Sequence, residues 1–340
     1  MAMDYRYLGT TGLQVSSLAL GTMVLGAWGN RHEEECLRVV NEALDAGVNL
    51  VDTADMYAQG ETEEIVGRAL TGRRDEVVLA TKFWNSMGEG INQRGASRRW
   101  VMQAVEGSLR RLNTEWIDIY QVHRPDPHVD LDDLMGTLGD LVRSGKVRYI
   151  GTSTWPAELI VEAQWASQRN HGPRFVSEQP PYSILVRGVE QAVLPTCRRH
   201  GVGVLAWAPL NGGWLTGKYR RKTPAPPGSR GDYSAEHMAP ATDLKFDAVE
   251  ALTELAVEAG LSLITLALAW VREHPAITAA IIGPKTPDQL AELLVGADVR
   301  LSPEVLDRVD TIVAPGRTLV EADAGWTTWE LDAQHRRLPG

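Results

Sequence analysis

Short apolar segments alternate with helical segments along most of the chain. The apolar segments are five to seven residues long, which is typical of strands buried on both faces in a parallel sheet. Most of them precede a predicted helix, and the pattern extends over about 280 residues. The eight predicted strands are 18–22, 48–53, 76–82, 117–122, 147–152, 174–178, 202–207 and 277–282.

The intervening segments have the spacing of amphipathic helices. In the segment 98–112, for example, Val101, Val105 and Leu109 recur every four residues and form one apolar stripe. The Pro- and Gly-rich connection 208–244 contains no convincing element. The predicted helices are 33–46, 61–70, 98–112, 131–143, 157–169, 188–200, 245–259, 263–273, 287–295 and 302–312.

Two α/β architectures alternate strands and helices in this way, the open doubly wound sheet and the closed barrel. An open sheet that binds a dinucleotide carries a glycine fingerprint in its first strand-to-helix turn, and residues 21–26 do not match it. We therefore predict one (β/α)8 barrel, the TIM-barrel fold, with long loops on its C-terminal face. Residues 1–340 would form a single domain, with a β-hairpin at 5–16 capping the bottom, the barrel at 18–295, and a C-terminal helix and tail at 302–340.

Composition excludes several classes of function. A formal net charge of −10 argues against a nucleic-acid partner and does not favour an anionic membrane surface. The two cysteines, Cys36 and Cys197, make neither a disulfide framework nor a metal-binding cluster, so we expect no metal and a cytoplasmic location. The N-terminus lacks a signal-peptide pattern, and the longest apolar stretch, 261–271, is too short to span a bilayer.

Three consecutive predicted strands end in chemically active side chains. Asp52 lies at the end of the strand 48–53 and Tyr57 follows it, whereas Lys82 and His123 close the next two strands. Because the C-terminal ends of parallel barrel strands meet at one rim, where barrel enzymes carry their active sites, we expect these four side chains to converge.

These four residue types suit proton delivery to a carbonyl group. A phenol with an ordinary pKa of ~10 is a poor acid at neutral pH, and a neighbouring ammonium lowers that pKa. Asp52 would pair with Lys82 and aim it at Tyr57, while His123 would orient the substrate oxygen. The alternative for each residue taken singly is structural, with Asp52 and Lys82 as a plain ion pair and Tyr57 as a surface residue. Convergence at three successive strand ends argues against that alternative for the set.

Two glycine-rich segments resemble nucleotide-binding motifs. Residues 201–206 fit G-x-G-x-x-A, but they enter a predicted strand instead of linking a strand to a helix. Residues 212–219 approach a P-loop, although Tyr219 replaces the Ser or Thr that would hold Mg²⁺. What remains is a glycine-rich loop with Lys218, which suits a pyrophosphate.

Taken together, several segments resemble the aldo-keto reductases over nearly the whole chain. They are 47–54 with Tyr57, 81–82, 106–112, 117–123, 150–153 and 281–283. The resemblance implies a (β/α)8 barrel that binds NADPH without a Rossmann domain and reduces aldehydes or ketones to alcohols. It also implies that Tyr57 is the proton donor and that Asp52, Lys82 and His123 support it.

The resemblance implies a cofactor site as well. Ser153, Thr154 and Gln179 would hold the nicotinamide carboxamide, and Trp207 would stack on the ring; the family usually has Asn at the position of Thr154. Lys285, beside a helix N-terminus, would bind the ribose 2′-phosphate and favour NADPH over NADH. The other expected cofactor contacts are Gly21, Thr22, Met23, Asp52, Ala208, Pro209, Leu210, Leu215, Gly217, Lys218, Arg230, Gly283, Thr286, Gln289 and Glu292.

The substrate is expected to be a small carbonyl compound. Eleven tryptophans against three phenylalanines is an unusual ratio, and tryptophans near the predicted rim would form large apolar walls around an apolar or aromatic carbonyl. The expected pocket residues are Trp28, Met56, Trp84 and Trp155. The loops 24–32, 84–97 and 208–244 would set specificity, without distinguishing biosynthesis from detoxification.

One alternative function stays open. Relatives similar to the β subunits of potassium channels share the residues Trp207, Pro209, Leu210 and Lys218, so the chain could be a slow or non-catalytic subunit that senses NADP(H). The intact set of four catalytic side chains favours an enzyme. The oligomeric state is not predicted.

Overall fold

The computed structural model describes residues 3–233, 240–329 and 336. Eight parallel strands close into a barrel in the order β10-β3-β4-β5-β6-β7-β8-β9, with helices on the outside, which confirms the predicted (β/α)8 fold. The strands are β3 Leu18–Gly21, β4 Leu50–Asp52, β5 Val78–Phe83, β6 Ile117–Val122, β7 Val147–Ser153, β8 Phe175–Gln179, β9 Gly203–Ala206 and β10 Ile277–Ile282.

The predicted hairpin closes the bottom of the barrel. Strands β1 (Tyr5–Tyr7) and β2 (Gln14–Ser16) pair antiparallel. At its turn, the Thr10 amide donates to the Gly201 carbonyl at 3.1 Å, just before β9 begins. Gly9 has a φ of +53°, and a Cβ there would lie 2.1 Å from the same carbonyl oxygen, so only glycine fits this approach.

Two apolar layers hold the barrel together. Side chains such as Leu50, Ala80 and Ile119 point inward and, with Leu8 from the hairpin, fill the interior. A larger outer core lies between the strands and the surrounding helices. A closed barrel with a filled interior leaves the strand ends at the rim as the place for a ligand.

Several helices begin where the sequence supplies a capping side chain. Ser97, Asp130 and Thr242 each accept a hydrogen bond from a backbone amide in the first turn of the helix that follows. The helices are α1 Glu33–Asp45, α2 Glu61–Ala69, α3 Arg98–Arg111, α4 Leu131–Arg143, α5 Ala157–Arg169, α6 Val193–His200, α7 Arg230–Tyr233, α8 Asp243–Glu258, α9 Leu263–Glu273, α10 Pro287–Leu294 and α11 Pro303–Ile312.

Two predicted segments differ from the structure. The helix predicted at 188–200 is divided into a 3₁₀ turn, Gly188–Glu190, and α6. This division puts Pro195 in the first turn of α6, where its missing N–H costs nothing, instead of in a helix interior. The connection 208–244, predicted to lack an element, contains the 3₁₀ segment Asn211–Thr216, the short α7 and the start of α8.

Two further observations concern the ends of the described residues and the length of the helices. Parts of the predicted domain 1–340, namely 1–2, 234–239, 330–335 and 337–340, lie outside the described residues. Within the described ranges, no single helix is both long and apolar enough to cross a membrane. The pair α8 and α9, bent by 93° at a short break, has that length and composition only when the two are taken together.

Candidate active site

Asp52 and Lys82 form a buried ion pair at the rim. They end the neighbouring strands β4 and β5, and Lys82 Nζ lies 2.6 Å from Asp52 Oδ2. The Lys82 side chain is fully buried and also donates to the Thr53 carbonyl at 2.9 Å. Burial lowers the pKa of Lys82, but Asp52 and Tyr57 more than offset this, and the net pKa is raised. Lys82 is therefore an ammonium throughout the neutral range.

Tyr57 reaches the same ammonium from the loop after β4. It begins a tight 3₁₀ segment in which Ala58 and Gln59 have φ of 48° and 55°, so the chain turns sharply just after the phenol. The Tyr57 hydroxyl lies 3.3 Å from Lys82 Nζ. This contact brings the predicted acid and its supporting cation within hydrogen-bonding distance.

The pKa of Tyr57 departs from the sequence-based expectation. Burial raises this pKa above its ordinary value, and the charge of Lys82, which lowers it, only partly offsets burial. The expected net lowering is therefore wrong, because sequence shows the neighbouring cation but not the loss of solvent around the phenol. Tyr57 holds its proton at neutral pH, and Lys82 reduces the cost of releasing it.

His123 completes the predicted set opposite Tyr57. It follows β6, and the two rings meet edge to face with centroids 6.1 Å apart. Burial, followed by the charges of Lys82 and Arg124, keeps the pKa of His123 well below its ordinary value, so the imidazole is neutral. The Asn85 amide nitrogen lies 3.0 Å from Nδ1.

Asp52 is also fixed by two side-chain amides. Gln179 Nε2 donates to Asp52 Oδ1 at 2.8 Å, and Gln121 Nε2 donates to the same oxygen at 3.1 Å. The Oε1 atom of Gln179 receives no hydrogen bond from the described residues. An acceptor without a partner at this rim fits the amide hydrogens of a nicotinamide carboxamide.

Thr154 links the predicted ring-stacking residue to the rest of the rim. It has a φ of 59°, which is rare for a β-branched residue, and its hydroxyl accepts from the Trp207 indole nitrogen at 3.3 Å. Ser153 donates to the Gln179 carbonyl at 3.0 Å. These bonds hold the four predicted nicotinamide contacts, Ser153, Thr154, Gln179 and Trp207, at adjoining strand ends.

Two lysines face a second region that suits phosphates. Lys218 follows the turn at Gly217, which has a φ of 71°, and burial, followed by the charge of Lys285, lowers the pKa of Lys218. Burial also lowers the pKa of Lys285. Two ammonium groups close enough to repel each other fit an anion between them.

The adenosine end of the predicted site is formed by the start of α10. Thr286 caps this helix by accepting from the Gln289 amide at 3.3 Å, and the Lys285 amide donates to Gln289 Oε1 at 2.9 Å. Gly283 has open space around its Cα.

The other predicted cofactor residues lie around these two regions. Thr22 is buried after β3 and donates to the Asp52 carbonyl at 3.0 Å, and Glu292 contributes to the electrostatic environment of Lys218. Met23, Ala208 and Leu210 are partly exposed, whereas Gly21 and Leu215 are buried; Pro209 precedes the 3₁₀ segment and Arg230 begins α7.

The predicted substrate walls are only partly at the rim. Trp28 is 38% exposed and its ring lies 6.1 Å from that of Tyr57. Met56 and Trp84 are partly buried, and Trp84 packs against the outer core. Trp155 does not belong with them. It is 2% exposed and packs edge-on against Phe175 in the outer core, because it lies behind the strand end instead of above it.

Three polar residues of the site were missed in the sequence. Asn85 touches the His123 ring, Gln121 touches Asp52, and Arg124 directly follows His123. The signal that could have found them is the one that found the others, since each lies within three residues of a strand end that carries a predicted catalytic side chain.

Comparison with known proteins identifies the family. The model of the aldo/keto reductase family matches residues 17–314. An uncharacterized oxidoreductase, YrpG of Bacillus subtilis, is 38% identical over 95% of this chain and 100% of its own length. A probable voltage-gated potassium channel subunit beta of rice is 36% identical over 93% of this chain and 99% of its own length. Versiconal hemiacetal acetate reductase of Aspergillus parasiticus is 32% identical over 92% of this chain and 98% of its own length. The chain therefore belongs to the aldo/keto reductase family and is similar over most of its length to oxidoreductases.

Proposed function

We propose that this protein is an NADPH-dependent reductase of aldehydes or ketones in which Tyr57 is the proton donor. The observation that carries the proposal is the series of contacts from Asp52 through Lys82 to Tyr57, with distances of 2.6 and 3.3 Å. A carboxylate that holds an ammonium against a partly buried phenol stabilises the charge that develops when the phenol gives up its proton.

Each side chain has a defined part in that reaction. Lys82 stays charged because Asp52 pairs with it, and Asp52 stays oriented because two glutamine amides bind its other oxygen. His123 is neutral and donates a hydrogen bond to the carbonyl oxygen, which orients it toward Tyr57. Tyr57 then transfers its proton to that oxygen as the alkoxide forms.

The cofactor site has residues that fit NADPH. The free acceptor of Gln179 fits the carboxamide, Trp207 offers an aromatic face, and Lys218 with Lys285 fits the phosphates. Bound NADPH would supply the hydride. The proposed reduction needs no metal ion, because the phenol of Tyr57 supplies the proton and the reduced nicotinamide would supply the electrons.

The experiment is the reduction of a panel of aldehydes and ketones, followed by NADPH absorbance, with wild-type protein and Tyr57→Phe. We expect Tyr57→Phe to bind NADPH with nearly unchanged affinity and to lose roughly 10²–10⁴-fold in kcat/KM, the range for general acid catalysis. Tyr7→Phe, at the exposed bottom hairpin, is the matched control. Turnover by Tyr57→Phe equal to wild type would reject Tyr57 as the acid, and a preference for NADH would reject the cofactor assignment.

A second candidate is supported by the rice relative, whose name describes a potassium channel β subunit. In that case NADP(H) would be bound tightly and turned over slowly, and the chain would join a larger complex. The same panel separates the two, because a sensing subunit purifies with a stoichiometric nucleotide and reduces every carbonyl slowly.

A further inference from the structure

Arg124 is a partly buried cation beside the catalytic side chains. Its Nη1 atom donates to the carbonyl oxygen of His123 at 2.6 Å and to the Thr154 hydroxyl at 3.2 Å. Its Nε and Nη2 atoms have no acceptor among the described residues, and no carboxylate of that part of the chain forms an ion pair with it. The buried Glu178 is near enough to act on it electrostatically, but the Glu178 oxygens accept from the Thr152 hydroxyl and the Trp155 amide instead. One edge of the guanidinium is therefore available to a ligand.

Two other shielded arginines of this protein are paired with carboxylates. Arg111 binds the buried Glu63 at 2.7 Å, and Arg187 binds Glu190 at 2.9 Å and Asp310 at 2.7 Å. Removing a charge from water is costly unless an opposite charge or several hydrogen bonds offset it. An unpaired guanidinium in a site built for a small molecule is explained if the ligand supplies the anion.

The position of Arg124 fits a group on the substrate. Its two hydrogen-bond partners belong to the rim itself, since Thr154 also binds Trp207 and His123 faces Tyr57. Arg124 and Tyr57 are close enough for the guanidinium to lower the pKa of the phenol. Arg124 is thus held at the same rim as the residues proposed to bind the reacting carbonyl.

We propose that Arg124 binds a carboxylate of the substrate, so that the preferred substrates are carbonyl compounds with a separate carboxylate group. This inference rests on the proposed reductase function. A planar guanidinium matches a carboxylate through two parallel hydrogen bonds. One cation balances the single charge of a carboxylate, whereas a phosphate monoester carries up to two, and the other nearby cation, Lys82, is already paired with Asp52.

The kinetic test compares two substrates that differ in one charge, 4-formylbenzoate and its methyl ester. We expect the wild-type kcat/KM to be at least tenfold higher for the carboxylate, and Arg124→Gln to reduce that ratio to near one. Using the ratio cancels any effect of the substitution on Tyr57, because both substrates need the same proton. Arg124→Lys keeps the charge but loses the planar fork, so it should retain part of the preference.

Arg148→Gln is the matched control, since Arg148 is exposed at the opposite end of β7 and stacks on Trp116. Its substrate ratio should equal that of wild type. A wild-type ratio near one, or a ratio that Arg124→Gln leaves unchanged, would overturn the carboxylate subsite while leaving the reductase function intact.

A binding measurement makes the two proposals separable. Calorimetric titration of the NADP⁺-loaded protein should give a Kd for benzoate at least tenfold below that for benzamide, with the difference abolished in Arg124→Gln. If no carbonyl in the panel is reduced but this binding difference is present, the anion subsite is retained and the reductase function is wrong. Equal Kd values for benzoate and benzamide would overturn the subsite whatever the turnover.

Discussion

At the scale of single residues, the neighbours of His123 determine which of its ring nitrogens carries the proton. The ring is neutral because burial and two nearby cations depress its pKa. The Asn85 amide nitrogen, a donor, lies 3.0 Å from Nδ1, which makes Nδ1 an acceptor. The proton is then on Nε2, where it can be donated to a carbonyl oxygen.

Asn85→Asp tests this placement. An aspartate presents an acceptor to Nδ1, moves the proton there and removes the donor from Nε2. We expect kcat/KM for aldehyde reduction to fall by roughly 10²–10³-fold, as when one hydrogen-bond donor to a developing oxyanion is lost. Steady-state kinetics measure the loss, and ¹⁵N shifts of the ring nitrogens show which one is protonated.

Asn85→Ala is the control, since it removes the hydrogen bond without imposing the other tautomer and should lose less activity. Full activity in Asn85→Asp, with Nδ1 protonated, would show that His123 does not act as a donor.

The sequence predicted the residues of the site better than their environment. Asp52, Lys82 and His123 could be found because each lies at a strand end or directly follows one, and strand ends can be recognised from apolar runs. The missed contacts of Asn85 and Arg124 depend on side-chain orientation in three dimensions. The direction of the Tyr57 pKa was wrong for a related reason, since burial depends on chain segments that are distant in sequence.

At the scale of elements, a C-terminal segment connects α8 to the predicted cofactor loop. Lys245 of α8 pairs with Asp323 of the 3₁₀ turn Glu321–Ala324 at 2.6 Å, and its Nζ lies 4.7 Å from the centre of the Trp214 ring. Just beyond the turn, Gly325 lies so close to Trp207 that a Cβ would be 2.6 Å from the indole. The segment thus approaches Trp207 directly and is linked to Trp214 through Lys245.

Asp323→Asn should release this segment. The Lys245 side chain is fully buried, and removing one partner of a buried ion pair costs roughly 3–5 kcal/mol. We expect amide protons of residues 314–329 to exchange at least 30-fold faster, about 2 kcal/mol of lost protection, as measured by hydrogen exchange with mass spectrometry.

Glu321→Gln, an exposed change in the same turn, should leave exchange unaltered. Lys245→Met added to Asp323→Asn should restore part of the protection, because it removes the buried charge. Wild-type exchange in Asp323→Asn alone would show that the ion pair does not hold the segment.

Elements with a strong period were predicted well and those without one were not. The segment 131–143 was predicted as a helix to the residue, because its apolar stripe and its cap at Asp130 both appear in the sequence. The 3₁₀ segments Asn211–Thr216 and Glu321–Ala324 are too short to show a period. They form where long-range contacts such as Lys245–Asp323 hold the chain.

At the scale of the whole molecule, a buried carboxyl links stability to pH. Asp55 is fully buried, neither carboxyl oxygen makes a hydrogen bond of normal geometry, and burial with the nearby Glu63 raises its pKa to about 8. Between pH ~4 and ~8 the folded chain keeps a proton that the unfolded chain releases. The neutral Asp55 carboxyl therefore makes the free energy of unfolding depend on pH. Its stabilising effect is fully present below the unfolded pKa, and the free energy of unfolding then falls as the pH rises toward the folded pKa, by up to about 1.4 kcal/mol per pH unit.

Asp55→Asn should remove this dependence. We expect the free energy of unfolding, from urea titrations, to gain more at pH 7.5 than at pH 5.0, because asparagine is neutral in both states. The exposed Asp75→Asn is the control, and its difference between the two pH values should match wild type. An equal effect of Asp55→Asn at both pH values would show that Asp55 is ionised in the folded protein.

The side chains at the rim differ in whether a barrel strand or a connection between elements carries them. Asp52 and Lys82 belong to strands of a closed barrel and His123 follows one directly, whereas Trp28 and Trp84 are carried by the connections between elements. The connection that carries Trp28 holds none of the residues proposed to move the proton, whereas Tyr57 and Asn85 lie in the connections after β4 and β5. Changes in the Trp28 connection therefore alter which substrate is admitted without disturbing how protons are moved. Proteins that share this fold can therefore diverge in the substrate they accept and still keep the same residues for proton transfer.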